Sequence, residues 1–346
     1  MHGEMQYLQR HGEARRHPSS VLHDVKTIFV VALSYAKVNP LRVPLKIFRG
    51  HAGSFDAKTV DHTTVADYGI VAEYARGLDY HDVLRAKLQQ LAEVHRQLFP
   101  DAKTRIAVDT APILEREYAM RANVGRPGKN TMLINEQCGS RFFLGVLLST
   151  VEFCETQVES CSFDVLPEQL SPCGNCRRCV DACPTGALTP YRLDARKCLN
   201  YWSIEYQGDD IPPEIAAKFG NRLFGCEICQ SVCPFNRCAD QSRSQNQGDN
   251  SDSPQCICKN CQPYEKFRPK TNASQTPQNL SPANMLSQTD LTALSLREQL
   301  ELGLMSLSQI ESLDEDNFQR EFVGTPLVRL GLARLKRNAA IVRENT

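Results

Sequence analysis

Residues 173–184 read CGNCRRCVDACP, which sets Cys173, Cys176, Cys179 and Cys183 at x2, x2 and x3 spacings with Pro184 directly after. Soft thiolates at these intervals are iron–sulfur ligands. In bacterial two-cluster ferredoxins three such cysteines take corners of one cubane, and the fourth, ahead of proline, ligates the other. Residues 226–234, CEICQSVCP, repeat the pattern one cysteine short, giving Cys226, Cys229 and Cys233 before Pro234. Cys198, in DARKCLNYW, supplies the missing thiolate. Crossed ligation then assigns one 4Fe–4S cluster to Cys173, Cys176, Cys179 and Cys233. A second goes to Cys183, Cys198, Cys226 and Cys229. Zinc sites favour two CxxC pairs across a longer loop and require neither the triple run nor a following proline.

The chain has 346 residues and 15 cysteines, of which eight lie between Cys173 and Cys233. An odd number cannot all pair. The N-terminal MHGEMQYLQRHGEARRHP has no apolar core of a secretory signal, so the chain is expected in the cytoplasm, where disulfides are rare. Cys138, Cys154 and Cys161 read as small buried residues or free thiols. Cys256, Cys258 and Cys261, with Cys238, form a second, looser candidate metal set. No GxGxxG follows a strand and no P-loop is present, so a nucleotide site has no support.

The length suits two or three domains. The longest apolar stretch, Ile28 to Leu33, is far below the roughly 18 residues of a spanning helix, and no membrane association is expected. With 40 basic and 40 acidic residues the net charge is zero, which excludes a protein basic overall but not local basic faces. The first 50 residues carry eight Lys or Arg against three acids, and the last 29 carry six against two.

The elements that must position these residues follow from periodicity. Residues 21–35 read as a buried strand, 36–70 as a long loop region, and 80–98 as an amphipathic helix. Residues 104–108 form a short strand ending at Asp109, and Pro112 opens a helix through ILEREYAMRA. Asp109 and Thr110, ahead of that proline, are well placed as a helix cap. Helical spacing returns at 291–313 and again at 326–342. Residues 239–284 are dominated by Ser, Gln, Asn, Asp and Pro, and read as a polar, disordered insert. The expected fold is α+β. An α/β domain spans 1–160, a ferredoxin-like domain with two 4Fe–4S clusters spans 161–238, the insert occupies 239–284, and C-terminal helices occupy 285–346. Clusters joined to so large a first domain read as an electron wire feeding a catalytic centre.

Several segments together resemble the epoxyqueuosine reductase family: HGEMQYLQRH (2–11), YARGLDYH (74–81), VDTAPILEREYA (108–119), GKNTMLIN (128–135), GSRFFLG (139–145), the cysteine block, and GTPLVRLGLARLKRNAAIV (324–342). The resemblance covers most of 1–238 and the C-terminal helix. It implies an oxidoreductase with two 4Fe–4S clusters and a cobalamin held in the first domain. That enzyme reduces the epoxide of epoxyqueuosine, at the wobble position of a tRNA, to the alkene of queuosine. The implied partners are tRNA carrying epoxyqueuosine and an external low-potential electron donor of the flavodoxin or ferredoxin class, with the chain acting as a monomer. Asp109 matches the family's acid, which protonates the departing oxygen; the helix-cap reading stands beside it. Arg10, Asp109, Lys129, Asn130, Ser140 and Asn200 fall at family positions around the cobalamin. Arg329, Arg334, Lys336 and Arg337 on the C-terminal helix, with Arg196 and Lys197 beside Cys198, are candidate phosphate contacts. The alternatives are a reductive-dehalogenase-like enzyme acting on a small molecule and a non-catalytic ferredoxin-type carrier.

Overall fold

The structure is a computed structural model, and it describes residues 2–6, 12–35, 67–109, 111–153, 167–236 and 294–346. Arg10, Thr110, the polar insert at 239–284, and Cys154, Cys161, Cys238, Cys256, Cys258 and Cys261 lie outside the described residues. The chain divides into two compact units, each assembled from three separated stretches. The first holds Met1–Ala36, Asp79–Arg196 and Ile228–Phe267; the second holds Lys37–Leu78, Lys197–Glu227 and Arg268–Thr346.

The first unit is built on an antiparallel sheet in the order Thr27–Ser34, Phe142–Ser149, Thr104–Ala107. The central strand, FFLGVLLS, is a continuous apolar run, as expected of a strand covered on both faces. Its Gly145 lies against the helix Tyr80–Leu98: a Cβ there would meet Leu88 Cδ1 at 3.0 Å and Leu84 Cδ2 at 3.5 Å, so glycine lets the helix settle close to the sheet. Successive side chains alternate across a strand. Val146 and Leu148 therefore point the other way, into a cluster with Ala107, Ile113 and the partly buried Tyr118. Register pairs Ala107 with Val146 and ends there, so Val108 and Asp109 leave the sheet at its edge.

Two expectations for this unit change. The first strand begins at Thr27 rather than residue 21. The helix after Asp109 runs Glu115–Arg121 rather than opening at Pro112. Ile113 has to bury against Val146 and Leu148, and the turn that lets it do so, with its N–H donating to Ala111 O at 2.8 Å, delays the helix.

The second unit holds a mixed sheet in the order Leu304–Ser306, Tyr68–Val71, Arg222–Phe224. Its helices Leu296–Leu302, Leu307–Ser312, Glu315–Phe322 and Leu332–Asn345 close over a core of Leu300, Leu307, Phe318, Phe322, Leu335 and Val342, all fully buried. The helical pattern at 291–313 is thus broken by a strand. Gly303 adopts φ 82°, and a side chain there would collide with the Arg76 guanidinium, so the helix stops and Leu304–Ser306 pairs with Tyr68–Ile70 instead. Residues 68–70, expected in a loop, form that central strand. Gly331, with φ 81°, likewise splits the last helical pattern. Among the described residues no helix is long and apolar enough to cross a membrane.

Candidate functional site

The cysteine loops are short turns that hold each thiol in place. Gly174, at φ 47°, shapes the first, and helical turns Arg178–Asp181 and Ile228–Ser231 follow. In the first unit Cys179 and Cys233 are buried, and neither is in a disulfide. Burial, then the neighbouring Cys173, push the Cys179 thiol up to about 11, with Cys233 adding to the rise. Burial raises Cys233 as well, with Cys173 and Cys176 contributing. Four thiols thus share one neighbourhood in which their thiolates repel. That donor set fits a cationic group taking one thiolate at each corner. Among the described residues no three His, Cys, Asp or Glu side chains converge on a single metal ion. Cys183 and Cys229 belong to the first unit, and Cys198 and Cys226 to the second. None of the four is in a disulfide, and all are partly buried.

Behind these loops stands a frame of hydrogen bonds. Lys129 Nζ donates to Gly174 O at 2.5 Å and to Cys176 O at 3.0 Å. Asn130 is buried; its Nδ2 donates to Cys229 O at 3.3 Å and its Oδ1 accepts from Met132 N. Ser140 N donates to Asn236 Oδ1 at 2.6 Å, and Gln230 Nε2 donates to Ser140 O at 3.1 Å. The preceding Gly139, at φ 75°, is required there, since a Cβ would overlap Asn236 Oδ1. In the second unit Asn200 Oδ1 accepts from Cys226 N at 3.3 Å and from Tyr74 Oη at 3.0 Å. Asn200 leads into a π-helical turn, Tyr201–Glu205.

Asp109 lies just past the edge strand of the first unit's sheet. Its φ of 52° is left-handed, a region Asp enters more readily than most side chains. Its own N–H donates to Glu115 Oε1 at 2.6 Å. The cap reading fails, because the helix that follows starts from Leu114 with no side-chain cap. Instead Asp109 Oδ2 accepts from Tyr80 Oη at 3.0 Å and faces His81 Nε2 at 3.1 Å. Behind His81, Asp79 Oδ1 takes the backbone N–H of His81 at 3.0 Å and its Nδ1 at 2.7 Å. Asp79 and His81 are buried, whereas the Asp109 side chain is 60% exposed. Tyr80 is held by stacking on Phe143 of the central strand, 4.2 Å between ring centroids. Burial pushes the Glu115 carboxyl up to about 7; the Asp109 N–H opposes this and the Asp109 charge adds to it.

Periodicity reads 80–98 only as an amphipathic helix, so Asp79, Tyr80 and His81 pass unnoticed as partners of Asp109. The available signal was the YARGLDYH segment, which carries all three. Of the candidate phosphate contacts, Arg334 donates to Ile204 O at 3.0 Å and Arg337 to Trp202 O at 3.0 Å, so both are spent inside the second unit. Arg196 pairs with Asp194 at 2.8 Å.

Comparison with known proteins bears on this geometry. Residues 172–236 match the model of a 4Fe-4S double cluster binding domain, and 15–110 match the model described as Epoxyqueuosine reductase QueG, DUF1730. An epoxyqueuosine reductase of Leadbetterella byssophila is 35% identical over 236 residues, 68% of this chain and 67% of that relative. The chain belongs to the epoxyqueuosine reductase family. The member from Francisella cf. novicida is 36% identical over 239 residues, 69% of this chain and 60% of that protein. This chain thus spans about three fifths of the length of the curated family members it matches first. A crystal structure of an epoxyqueuosine reductase with a tRNA-Tyr epoxyqueuosine-modified stem loop aligns with a TM-score of 0.62 at 24% identity, over 96% of this chain and 68% of that one. It shows that the mixed α/β fold is the family's. The cysteine-rich segment is an iron–sulfur double-cluster domain.

Proposed function

We propose that this chain reduces the epoxide of epoxyqueuosine in tRNA to the alkene of queuosine, with Asp109 as proton donor. The reaction consumes two electrons and two protons and releases the epoxide oxygen as water. The observation that carries the reading is the Asp109–His81 contact, in a chain of this family that also carries a double-cluster domain. Ionised Asp79 can only accept, so it fixes the Nδ1–H form of His81. Nε2 then meets Asp109 Oδ2 at 3.1 Å with one proton between them, on the carboxyl or on the imidazole. Such a shared proton is what an acid needs to protonate an alkoxide-like leaving group. Tyr80 keeps the carboxyl aimed, and the exposed part of Asp109 faces incoming substrate.

The crossed set of Cys173, Cys176, Cys179 and Cys233, and that of Cys183, Cys198, Cys226 and Cys229, would hold the clusters, which carry electrons singly from a flavodoxin- or ferredoxin-class donor. Cobalamin, assigned to the 1–160 domain on family membership, would supply a reducible cobalt beside the substrate carbon. Lys129, Asn130 and Asn200 bond the cysteine loops, and Ser140 bonds Asn236 beside Cys233; an ammonium has three N–H donors and an amide two, so these bonds leave Lys129 and Asn130 able to hold cobalamin as well. Family membership, and the tRNA stem loop bound by the solved neighbour, support tRNA as partner.

The test is anaerobic reconstitution with iron, sulfide and cobalamin, followed by turnover of epoxyqueuosine-bearing tRNA. The loaded chain is expected to form queuosine. Asp109→Asn should keep its iron and cobalamin and lose about 10²–10⁴ in turnover. Full iron and cobalamin with no queuosine would overturn the reading in favour of another substrate. Iron without cobalamin would favour a carrier.

A further inference from the structure

Lys129, Asn130, Ser140 and Asn200 are the positions at which family resemblance implies cofactor contacts, yet in this structure all four serve the cysteine loops through hydrogen bonds. Lys129 holds the Cys173–Cys176 loop, and Asn130 holds Cys229. Ser140 holds the Gln230 and Asn236 side chains, which flank Cys233, and Asn200 holds the Cys226 N–H. Three of these residues are neutral. Only Lys129 brings a full charge, to the carbonyls of Gly174 and Cys176 at 2.5 and 3.0 Å.

We infer that Lys129 is a positioning residue that sets the redox potential of the cluster held by Cys173, Cys176, Cys179 and Cys233, raising it by its charge. A cluster gains one negative charge on reduction. An ammonium fixed against the carbonyl of one of its ligand residues stabilises the reduced form more than the oxidised one. Lys129 is only partly exposed, so water screens this less than at an open surface. Net charge and hydrogen bonding near the sulfurs are established levers on iron–sulfur potentials. Asn130, Ser140 and Asn200 hold the loops without moving charge. The two clusters are thereby made unequal.

This inference rests on the iron–sulfur reading of the crossed cysteine sets and is tested separately from turnover. Lys129→Met, Lys129→Arg and Asn130→Ala would be reconstituted anaerobically, counted for iron, and titrated with dithionite while the two reduced-cluster EPR signals are followed. With eight irons retained, Lys129→Met is expected to lower one of the two potentials, shifting its one-electron constant about tenfold, or about 59 mV. Lys129→Arg should restore it, and Asn130→Ala should leave it in place. Unchanged potentials in a fully loaded Lys129→Met overturn the inference, as does a fall that Lys129→Arg fails to restore. Should Lys129→Met lose iron, Lys129→Gln keeps a donor without the charge; a lowered potential there supports the inference and an unchanged one overturns it. Wild-type protein that binds no iron would instead refute the cluster reading itself.

Discussion

The core of the second unit and the polar frame around the cysteine loops bury side chains of opposite character. Around Phe318 and Phe322 the contacts are aliphatic and aromatic and fully buried. The one polar side chain enclosed with them at the C-terminal helix, Asn338, is satisfied by Ser203 O at 2.8 Å and Leu223 O at 3.0 Å. Around the cysteines and Asp109 the buried groups are Asp79, His81, Asn130, Ser140, Gln230 and Asn236. An apolar core is stabilised by contacts that are individually small and have no direction to satisfy. A polar network is stable only when each member finds its partner, and it then fixes orientation. The first region supplies stability and the second supplies direction to thiols and a carboxyl. Damage to each should therefore read out differently.

The sharpest way to break that contrast is Phe318→Ala. Removing a fully buried ring should cost about 3–5 kcal/mol in denaturant unfolding, while folded protein keeps its iron per chain. Loss of iron from the folded fraction would show that the two regions are not separable in this way. Next in size, His81→Gln should cost about 1–3 kcal/mol in unfolding, since buried Asp79 loses its Nδ1 partner, and lower turnover of the folded protein about 10²-fold. Equal turnover would mean Asp109 is supplied with protons from elsewhere.

The smallest effect lies at Glu115. Its carboxyl stands near 7, above the ordinary 4.5, so the folded chain binds a proton that the unfolded chain releases. The associated stability is fully present below about pH 4.5 and is lost as pH rises through about 7. Thermal melts between pH 4.5 and 8 should show that slope in the wild type and a shallower one in Glu115→Gln. Identical slopes would remove burial as the cause.

Legibility in the sequence followed the range of the interactions. The helix Tyr80–Leu98 was readable to the residue, because its spacing and its Asp79 cap are local. The strand at 304–306 was not. It exists only because Tyr68–Val71, more than 230 positions earlier, offers an edge, and because Gly303 halts the helix above Arg76. Asp109 was found through its motif, but whether it caps a helix depends on where Ile113 must bury.

By itself the sequence determined the chemistry that tolerates no substitution of element: thiolates at ferredoxin spacing, with proline after the crossing cysteine, and a segment set that marks the family. Those signals lie within a few residues of one another, so chain connectivity alone brings them together. Only the tertiary structure decided what surrounds them. It turned Lys129, Asn130, Ser140 and Asn200 toward the cysteine loops. It also placed Asp79 and His81 behind Asp109, although both lie far earlier in the chain. Hydrogen bonds of that kind join groups that the sheet and its covering helix bring into reach, and no local pattern encodes them.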